Sequence, residues 1–233
     1  MESERNLSRI HYNHIAGQNL ERLAALSDGV FAVAMTLLVL DLHVPGKEIG
    51  TTSIGDDHAL WLALIALGPR LVTYLMSFLT LGVYWVAQQT QFNYFTRSDR
   101  NLTWIHLGFL LAVSIIPFST ALLSEYTSLR IALIAYWINI FLLGMMLFWS
   151  IRYAKRASLM NPEVFPGKRT PHERRIFAAQ SLYLFGLLLC VVNTYWSIAF
   201  LVFVQLNFAI APRIPPVERL VRWINRENGF SSK

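Results

Sequence analysis

The order of apolar and polar residues divides the chain into long apolar stretches joined by short polar connections. A helix that crosses a bilayer needs about 20 mostly apolar residues, at about 1.5 Å of rise each. Six stretches meet this requirement, and the last two are separated only by a tight polar turn, as in a helical hairpin. The pattern therefore predicts an all-α membrane protein with six spans. The spans run over Ala24–Val44, Leu60–Ala87, Leu102–Leu123, Leu129–Ile151, Ile176–Val192 and Tyr195–Ala211.

Basic residues are concentrated on alternate connections between these spans. Arg97 and Arg100 follow the second span, whereas the connections on the opposite side contain only Lys47 and Arg130. Because cytoplasmic loops are enriched in Lys and Arg, this asymmetry places both termini in the cytoplasm. An even number of spans requires the same arrangement. We therefore expect a multi-pass protein of the cell (inner) membrane.

Composition supports the membrane assignment and excludes several classes of function. Hydrophobic residues make up 55% of the chain and charged residues 15%, which is not the composition of a soluble domain. The net charge of +6 is distributed over loops without interleaved aromatic residues, so no nucleic-acid partner is expected. The single cysteine, Cys190, can form no disulfide within the chain.

Three parts of the chain follow from these patterns. Residues 1–21 are a polar cytoplasmic segment without the apolar core of a signal peptide, and residues 22–211 form the six-helix transmembrane domain. Residues 212–233 form a cytoplasmic tail in which apolar residues alternate with arginines at helical spacing. We expect the tail to be an amphipathic helix on anionic membrane lipids, with a subunit contact as the alternative.

The first span carries polar residues that a simple lipid anchor does not need. At about 100° per residue, five bulky residues fall in one stripe with Thr36 and Gly29 at its edge, while Ser27 and Asp28 point away from it. The stripe consists of Leu26, Val33, Leu37, Leu40 and Val44. Core packing or lipid contact also explains such a stripe. An intramembrane carboxylate is unusual, and a structural pairing of Asp28, most simply with Arg22 or another interior polar group, is favoured over ion contact.

The sequence around these residues resembles a known family. Arg22, three further residues and then Leu26-Ser27-Asp28-Gly29 are similar to the first-helix signature Arg-x-x-x-Phe-Ser-Asp of the prokaryotic transmembrane protein 175 family. This family is related to the lysosomal potassium channel. The stretches PRLVTYLMSFLTLGVYWVAQQ and NLTWIHLGFLLAVSIIPFSTALLSEY resemble its second and third spans.

The resemblance implies a potassium channel that assembles as a homotetramer, with the first helix of each subunit lining a central pore. The family has no carbonyl selectivity filter, so its selectivity comes from side chains. Carried onto this chain, the hydrophobic gate falls at Val33, Leu37 and Leu40, and the selectivity threonine is Thr36. Potassium is the permeant ion, and no cofactor or metal is expected.

The remaining polar residues of the first three spans are expected to form a polar network behind the pore face. It would join the first helix to the next two and fix its rotation, and Asp41 would enrich cations at the pore mouth. The expected members are Arg22, Ser27, Asp28, Trp85, Gln88, Gln89, Asn101 and His106. The family's paired histidines are Gln88 and Gln89 here, so their titration is lost.

Other function classes have weaker support. Catalytic triads, His-Glu-x-x-His and phosphate-binding loops do not occur, so the chain is not expected to be an enzyme. A secondary or proton-coupled cation transporter is the main alternative. It predicts interrupted helices and internal repeats, of which Pro69 and Pro117 are the only hints. A membrane scaffold without transport is the third reading.

Overall fold

The computed structural model describes residues 19–45, 56–161, 171–190 and 193–210. Side chains of residues 171–175, 195 and 209–210 are not described. The predicted amphipathic tail and nearly all of the N-terminal segment therefore lie outside the described residues. Seven helices occur in the described part of the chain: α1 Leu20–Leu40, α2 Asp57–Ala66, α3 Gly68–Phe92, α4 Arg100–Glu125, α5 Arg130–Arg156, α6 Pro171–Leu189 and α7 Thr194–Ile210.

Four of these helices are long and apolar enough to cross a membrane, namely α1, α3, α4 and α5. The chain is therefore a multi-pass, all-helical membrane protein, as predicted. The predicted fifth and sixth spans are also helical, and α6 and α7 pack against each other as a hairpin. The described apolar stretches of α6 and α7 are shorter than those of the four long helices.

The prediction that the second span, Leu60–Ala87, is a single helix is wrong. The structure breaks it at Leu67 into α2 and α3, because Pro69 lacks the amide hydrogen that would continue the hydrogen-bond ladder. Pro69 instead occupies the first turn of α3, where a missing donor is tolerated. The first span also shifts by one turn relative to Ala24–Val44, because the Asn19 side chain caps its start and Asp41 ends it.

Helix packing places α1 against α3 and α4, while α5 packs on α4 and the α6–α7 hairpin covers α5 and α3. The buried residues of α1 recur every three or four positions, which is the spacing of one helix face. They are Leu23, Ser27, Phe31, Ala34 and Leu38. One face of α1 is thus sealed inside the subunit and the opposite face is left uncovered.

A row of buried polar side chains runs along α3 and is here called the polar seam. Its members are Thr73, Ser77, Thr80, Tyr84, Gln88 and Gln91. The Gln205 side chain of α7 donates to Thr80 Oγ1 at 2.6 Å, and Gln91 donates to the Leu147 carbonyl at 2.7 Å. Buried polar groups in a bilayer need such partners, so the seam ties α3 to the surrounding helices.

Gly144 on α5 makes room for one arm of this polar core. A Cβ atom at Gly144 would lie 1.7 Å from Nε2 of Gln180, which itself donates to the Tyr84 hydroxyl at 2.9 Å. We expect Gly144→Ala to destabilise the subunit by about 1–3 kcal/mol, because Gln180 must move and lose that bond. Thermal unfolding checks this. Gly82→Ala is the control, since nothing lies within 4 Å of its added Cβ; equal melting temperatures would contradict the prediction.

Candidate pore-lining face and its polar support

The uncovered face of α1 presents the predicted apolar stripe to the outside of the subunit. Val33 is 58% exposed and Leu40 is 68% exposed, although both are large aliphatic residues. Leu26 and Leu37 are also exposed, and Val44 lies beyond the end of the helix. The stripe is therefore not sealed within one subunit, and something outside this chain must cover it or it must line a space.

Small residues lie beside the stripe on the same uncovered face. Ala25, Gly29 and Ala32 are all exposed, and no described atom lies within 4 Å of a Cβ built on Gly29. Thr36 is exposed between these small residues and the bulky stripe. Thr36 and Gly29 stand at the edge of the bulky stripe, and this edge lies near the middle of the uncovered face. The uncovered face therefore has a bulky half, formed by the stripe, and a smooth half, formed by Ala25, Gly29 and Ala32.

Thr36 uses its hydroxyl hydrogen within its own helix. Its Oγ1 lies 3.0 Å from the Ala32 carbonyl and 2.8 Å from the Val33 carbonyl, so the proton is shared between two backbone acceptors. The lone pairs of the same oxygen remain available as acceptors on the exposed face. A hydroxyl arranged in this way presents oxygen, rather than hydrogen, to whatever approaches that face.

Asp28 is held by two donors from α3. Trp85 Nε1 donates to Asp28 Oδ1 at 2.7 Å, and Gln89 Nε2 donates to the same oxygen at 2.8 Å. Asp28 is itself exposed at the border of the uncovered face. The carboxylate thereby connects the first helix to the second long helix, with two charge-assisted hydrogen bonds on one oxygen.

A second contact between these helices is buried directly behind Asp28. Gln88 Nε2 donates to Ser27 Oγ at 3.1 Å, and Ser27 donates to the Leu23 carbonyl at 2.9 Å. The same Gln88 nitrogen lies 3.4 Å from His106 Nδ1 on α4, and the His106 ring packs at 4.9 Å from that of Phe92. The structure thus brings Ser27, Gln88 and His106 together across three helices.

Two predicted members of the network lie elsewhere. Arg22 forms no ion pair with Asp28, because six residues of helix rotate the two side chains to different sides of α1. Asn101 donates its amide to the Tyr153 hydroxyl at 3.0 Å, at the N-terminal end of α4. That contact belongs to the α4–α5 pair and not to the support of α1.

Asp41 bonds to a neighbouring helix, and its role at the pore mouth stays a prediction. It follows the last turn of α1 and accepts a hydrogen bond from Ser124 Oγ on α4 at 2.9 Å. Its side chain is half-buried on the α4 side and does not join the uncovered face. At the same end of the bundle, Arg70 and Glu125 form an ion pair at 2.9 Å.

The polar seam of α3 was not predicted as a whole, although Gln88 was. The signal is nevertheless present in the sequence, since polar residues recur every three or four positions from Thr73 to Gln91. The partners on α7 and α5 carry no comparable signal. The contact between Thr80 and Gln205, for example, joins residues 125 positions apart.

Comparison with known proteins gives a consistent set of matches. A family model described as "Endosomal/lysosomal potassium channel TMEM175" matches residues 22–117. A protein named potassium channel from Streptomyces collinus is 42% identical over 105 residues, which cover 45% of this chain and 48% of that protein. A similarly named protein from Chamaesiphon minutus is 40% identical over 105 residues, covering 45% and 49%.

Longer but more distant matches extend over the rest of the chain. The human "Endosomal/lysosomal proton channel TMEM175" is 30% identical over 187 residues, covering 75% of this chain and 36% of that protein. A crystal structure of a lysosomal potassium-selective channel TMEM175 homolog from Chamaesiphon minutus matches with a TM-score of 0.67 and 26% identity. That match covers 82% of this chain and 97% of the other. The chain spans about half the length of the bacterial relatives it matches in sequence.

Proposed function

We propose that this chain, whose residues 22–117 match the TMEM175 family model, forms a potassium-conducting channel in the cell membrane, as a homotetramer whose first helices surround a central pore. The uncovered face of α1 is the observation that carries the proposal. It leaves large aliphatic side chains and one hydroxyl outside the subunit, within the residues that the family model matches. The relatives of this segment are named as channels, and no catalytic family is indicated.

Self-association through α1 fits the two halves of the uncovered face. Ala25 and Gly29 are four positions apart and Ala32 follows three positions later, and small residues at this spacing allow membrane helices to approach closely. The smooth half of one α1 can therefore receive a neighbouring α1, while the bulky half turns toward the axis. A closed symmetric ring uses the same contact in every subunit.

The bulky half is suited to gating by exclusion of water. A narrow ring of aliphatic side chains is poorly wetted, so an ion meets a large desolvation barrier until the ring widens. In the proposed assembly Val33, Leu37 and Leu40 form successive rings along the axis. Valine is a small residue for such a ring, so a small outward movement of α1 is enough to admit water.

Thr36 supplies the proposed selectivity. Its exposed acceptor oxygen can replace part of the hydration shell of a cation, and potassium sheds its water more readily than sodium. Because the contacts come from a ring of single hydroxyls and not from stacked carbonyl groups, we expect a modest preference for potassium. The bonds of Asp28 to Trp85 and Gln89 would hold α1 in the rotation that places Thr36 and Val33 at the axis.

Flux through liposomes tests the proposal. The purified protein should carry an electrogenic potassium flux far faster than the turnover of a carrier, and Val33→Ala should increase the resting flux several-fold because the apolar ring becomes wider. Val39→Ala is the matched control, since Val39 is also an exposed valine of α1 but lies off the stripe. The flux is read for both potassium and protons, because the animal relatives are named proton channels.

Three results would contradict the proposal in different ways. Slow, saturable flux would favour the transporter alternative, and absence of flux would favour a scaffold. Equal flux through Val33→Ala and Val39→Ala would move the pore away from the α1 stripe while leaving channel function intact.

A further inference from the structure

An open groove lies between α4 and α5. It has a volume of about 320 Å³. Its lining combines two arginines with aromatic and aliphatic side chains: Ile105, Phe148, Trp149, Arg152, Tyr153 and Arg156. None of these residues has a part in the proposed pore, so the groove calls for a separate explanation.

The two arginines are available for an anion. Arg152 and Arg156 are both exposed and stand one helical turn apart on α5, so their side chains lie on the same face. Within the described residues neither guanidinium forms an ion pair with a carboxylate. The Arg152 guanidinium instead lies over the Phe148 ring, 5.5 Å from its centre. That position leaves its hydrogen-bond donors free at the edge.

The described carboxylate that contacts a groove residue forms no ion pair with either arginine. Asp99 is close to the groove, because it accepts a hydrogen bond from the Tyr153 hydroxyl. Its other oxygen caps the start of α4 by accepting from the Leu102 amide at 2.8 Å. Asp99 is thus engaged with a helix N-terminus and a tyrosine, and the groove retains two positive charges.

The order of side chains along α5 matches the order of chemical groups in a phospholipid. Phe148 and the 54% exposed Trp149 come first, toward the membrane interior, and Tyr153 follows at the level where aromatic residues favour the bilayer interface. Arg152 lies at the level of Tyr153 and Arg156 comes one turn later, at the end of the bundle that also carries Arg97. A groove that is apolar below and basic above fits an acyl chain below a phosphate.

We propose that this groove, bounded by Ile105, Trp149 and the Arg152–Arg156 pair, is a binding site for an anionic phospholipid. The phosphate would lie between the two guanidinium groups and one acyl chain would lie along Phe148 and Trp149. The proposed occupant is a lipid and not a protein segment because the groove lies at the basic end of α5, a helix long and apolar enough to cross a membrane, and joins two arginines to an apolar wall. The proposal requires only that α5 spans a membrane and does not depend on the conducted ion.

Native mass spectrometry of the purified full chain tests the site. The protein is mixed with phosphatidylglycerol or phosphatidylcholine of equal chain length, and retained lipid is counted. Phosphatidylglycerol should be retained preferentially, and Arg152→Gln or Arg156→Gln should each weaken its retention by about fivefold, the effect of one basic residue near an anionic headgroup. Arg97→Gln is the matched control, because it removes one exposed charge from the same end but not from the groove.

Two further variants keep the test decisive. Arg152→Lys should retain more phosphatidylglycerol than Arg152→Gln. Trp149→Ala should weaken binding of the intact lipid but not binding of its soluble glycerol-phosphate headgroup. Equal retention of the two lipids by the wild type would overturn the proposal. So would a decrease in phosphatidylglycerol retention by Arg97→Gln as large as that by Arg152→Gln. Displacement of the lipid by equimolar inorganic phosphate would also overturn it, by showing a free anion site. Potassium flux is measured in parallel, so a failure of this site is distinguishable from a failure of the channel.

Discussion

Replacing Thr36 with valine is expected to remove most of the potassium preference of the proposed channel. Valine keeps the size and branching of threonine but cannot offer an oxygen to a partly dehydrated cation. A neutral contact of this kind is worth about 1 kcal/mol, and every subunit contributes one. We therefore expect the potassium-to-sodium permeability ratio to fall by about fivefold or more. Reversal potentials under bi-ionic conditions in planar bilayers measure that ratio directly.

Thr36→Ser is the matched control for this experiment. Serine keeps the hydroxyl and can make the same bonds to the Ala32 and Val33 carbonyls, so the permeability ratio should stay close to that of the wild type. If the valine and serine variants have the same ratio as the wild type, the hydroxyl of Thr36 does not face the ions. If both variants lose selectivity equally, the effect comes from a change of helix packing and not from the oxygen.

Replacing Asp28 with alanine is expected to disrupt assembly more than any other single change in α1. The substitution leaves Trp85 Nε1 and Gln89 Nε2 without their acceptor, and hydrogen bonds to charged groups contribute about 1.5–3 kcal/mol each. The lower end applies here, because Asp28 is partly exposed. Without these bonds α1 is free to rotate against α3, and the surface that faces its copies is no longer fixed. Size-exclusion chromatography with light scattering measures the loss of the assembled state.

Two companion variants show which property of Asp28 matters. Asp28→Asn keeps an acceptor oxygen but loses the charge, so its loss of assembly should be smaller than that of alanine. Glu21→Gln removes an exposed acid from the first turn of the same helix and should assemble normally. Normal assembly of Asp28→Ala combined with altered conductance would contradict the structural role and move the carboxylate into the conduction path.

The contacts around the first helix show how much of the structure residue patterns predict. The division of α1 into a buried and an uncovered side follows from periodicity, and Ser27 and Phe31 are buried as that periodicity requires. Pairing of Asp28 was expected, yet Arg22 was the simplest partner and the structure assigns Trp85 and Gln89 instead. A sequence indicates that a buried or bordering charge needs a partner. It does not indicate which of several polar residues on other helices comes within 3 Å.

Helix ends illustrate the same limit on a local scale. Leu60–Ala87 is mostly apolar, so hydropathy alone predicts one span, whereas the missing amide hydrogen of Pro69 divides it at Leu67. The signal was present in the Gly68-Pro69 pair. Proline is tolerated inside other membrane helices, as Pro117 is in the middle of α4, so the residue type by itself did not decide between a break and a continuous helix.

The sequence by itself determined that the chain is a helical membrane protein, that its residues 22–117 match the TMEM175 family, and that one side of its first helix is bulky and apolar, since hydropathy and helical spacing are local properties. Tertiary structure alone decided that this side remains uncovered and that Thr36 stands near the middle of the uncovered face. It also decided that the Gln205 side chain contacts Thr80, 125 positions away in the sequence. Those facts depend on how helices distant in sequence rotate and pack against each other, and a packing arrangement minimises the free energy of the whole bundle and not of any one segment.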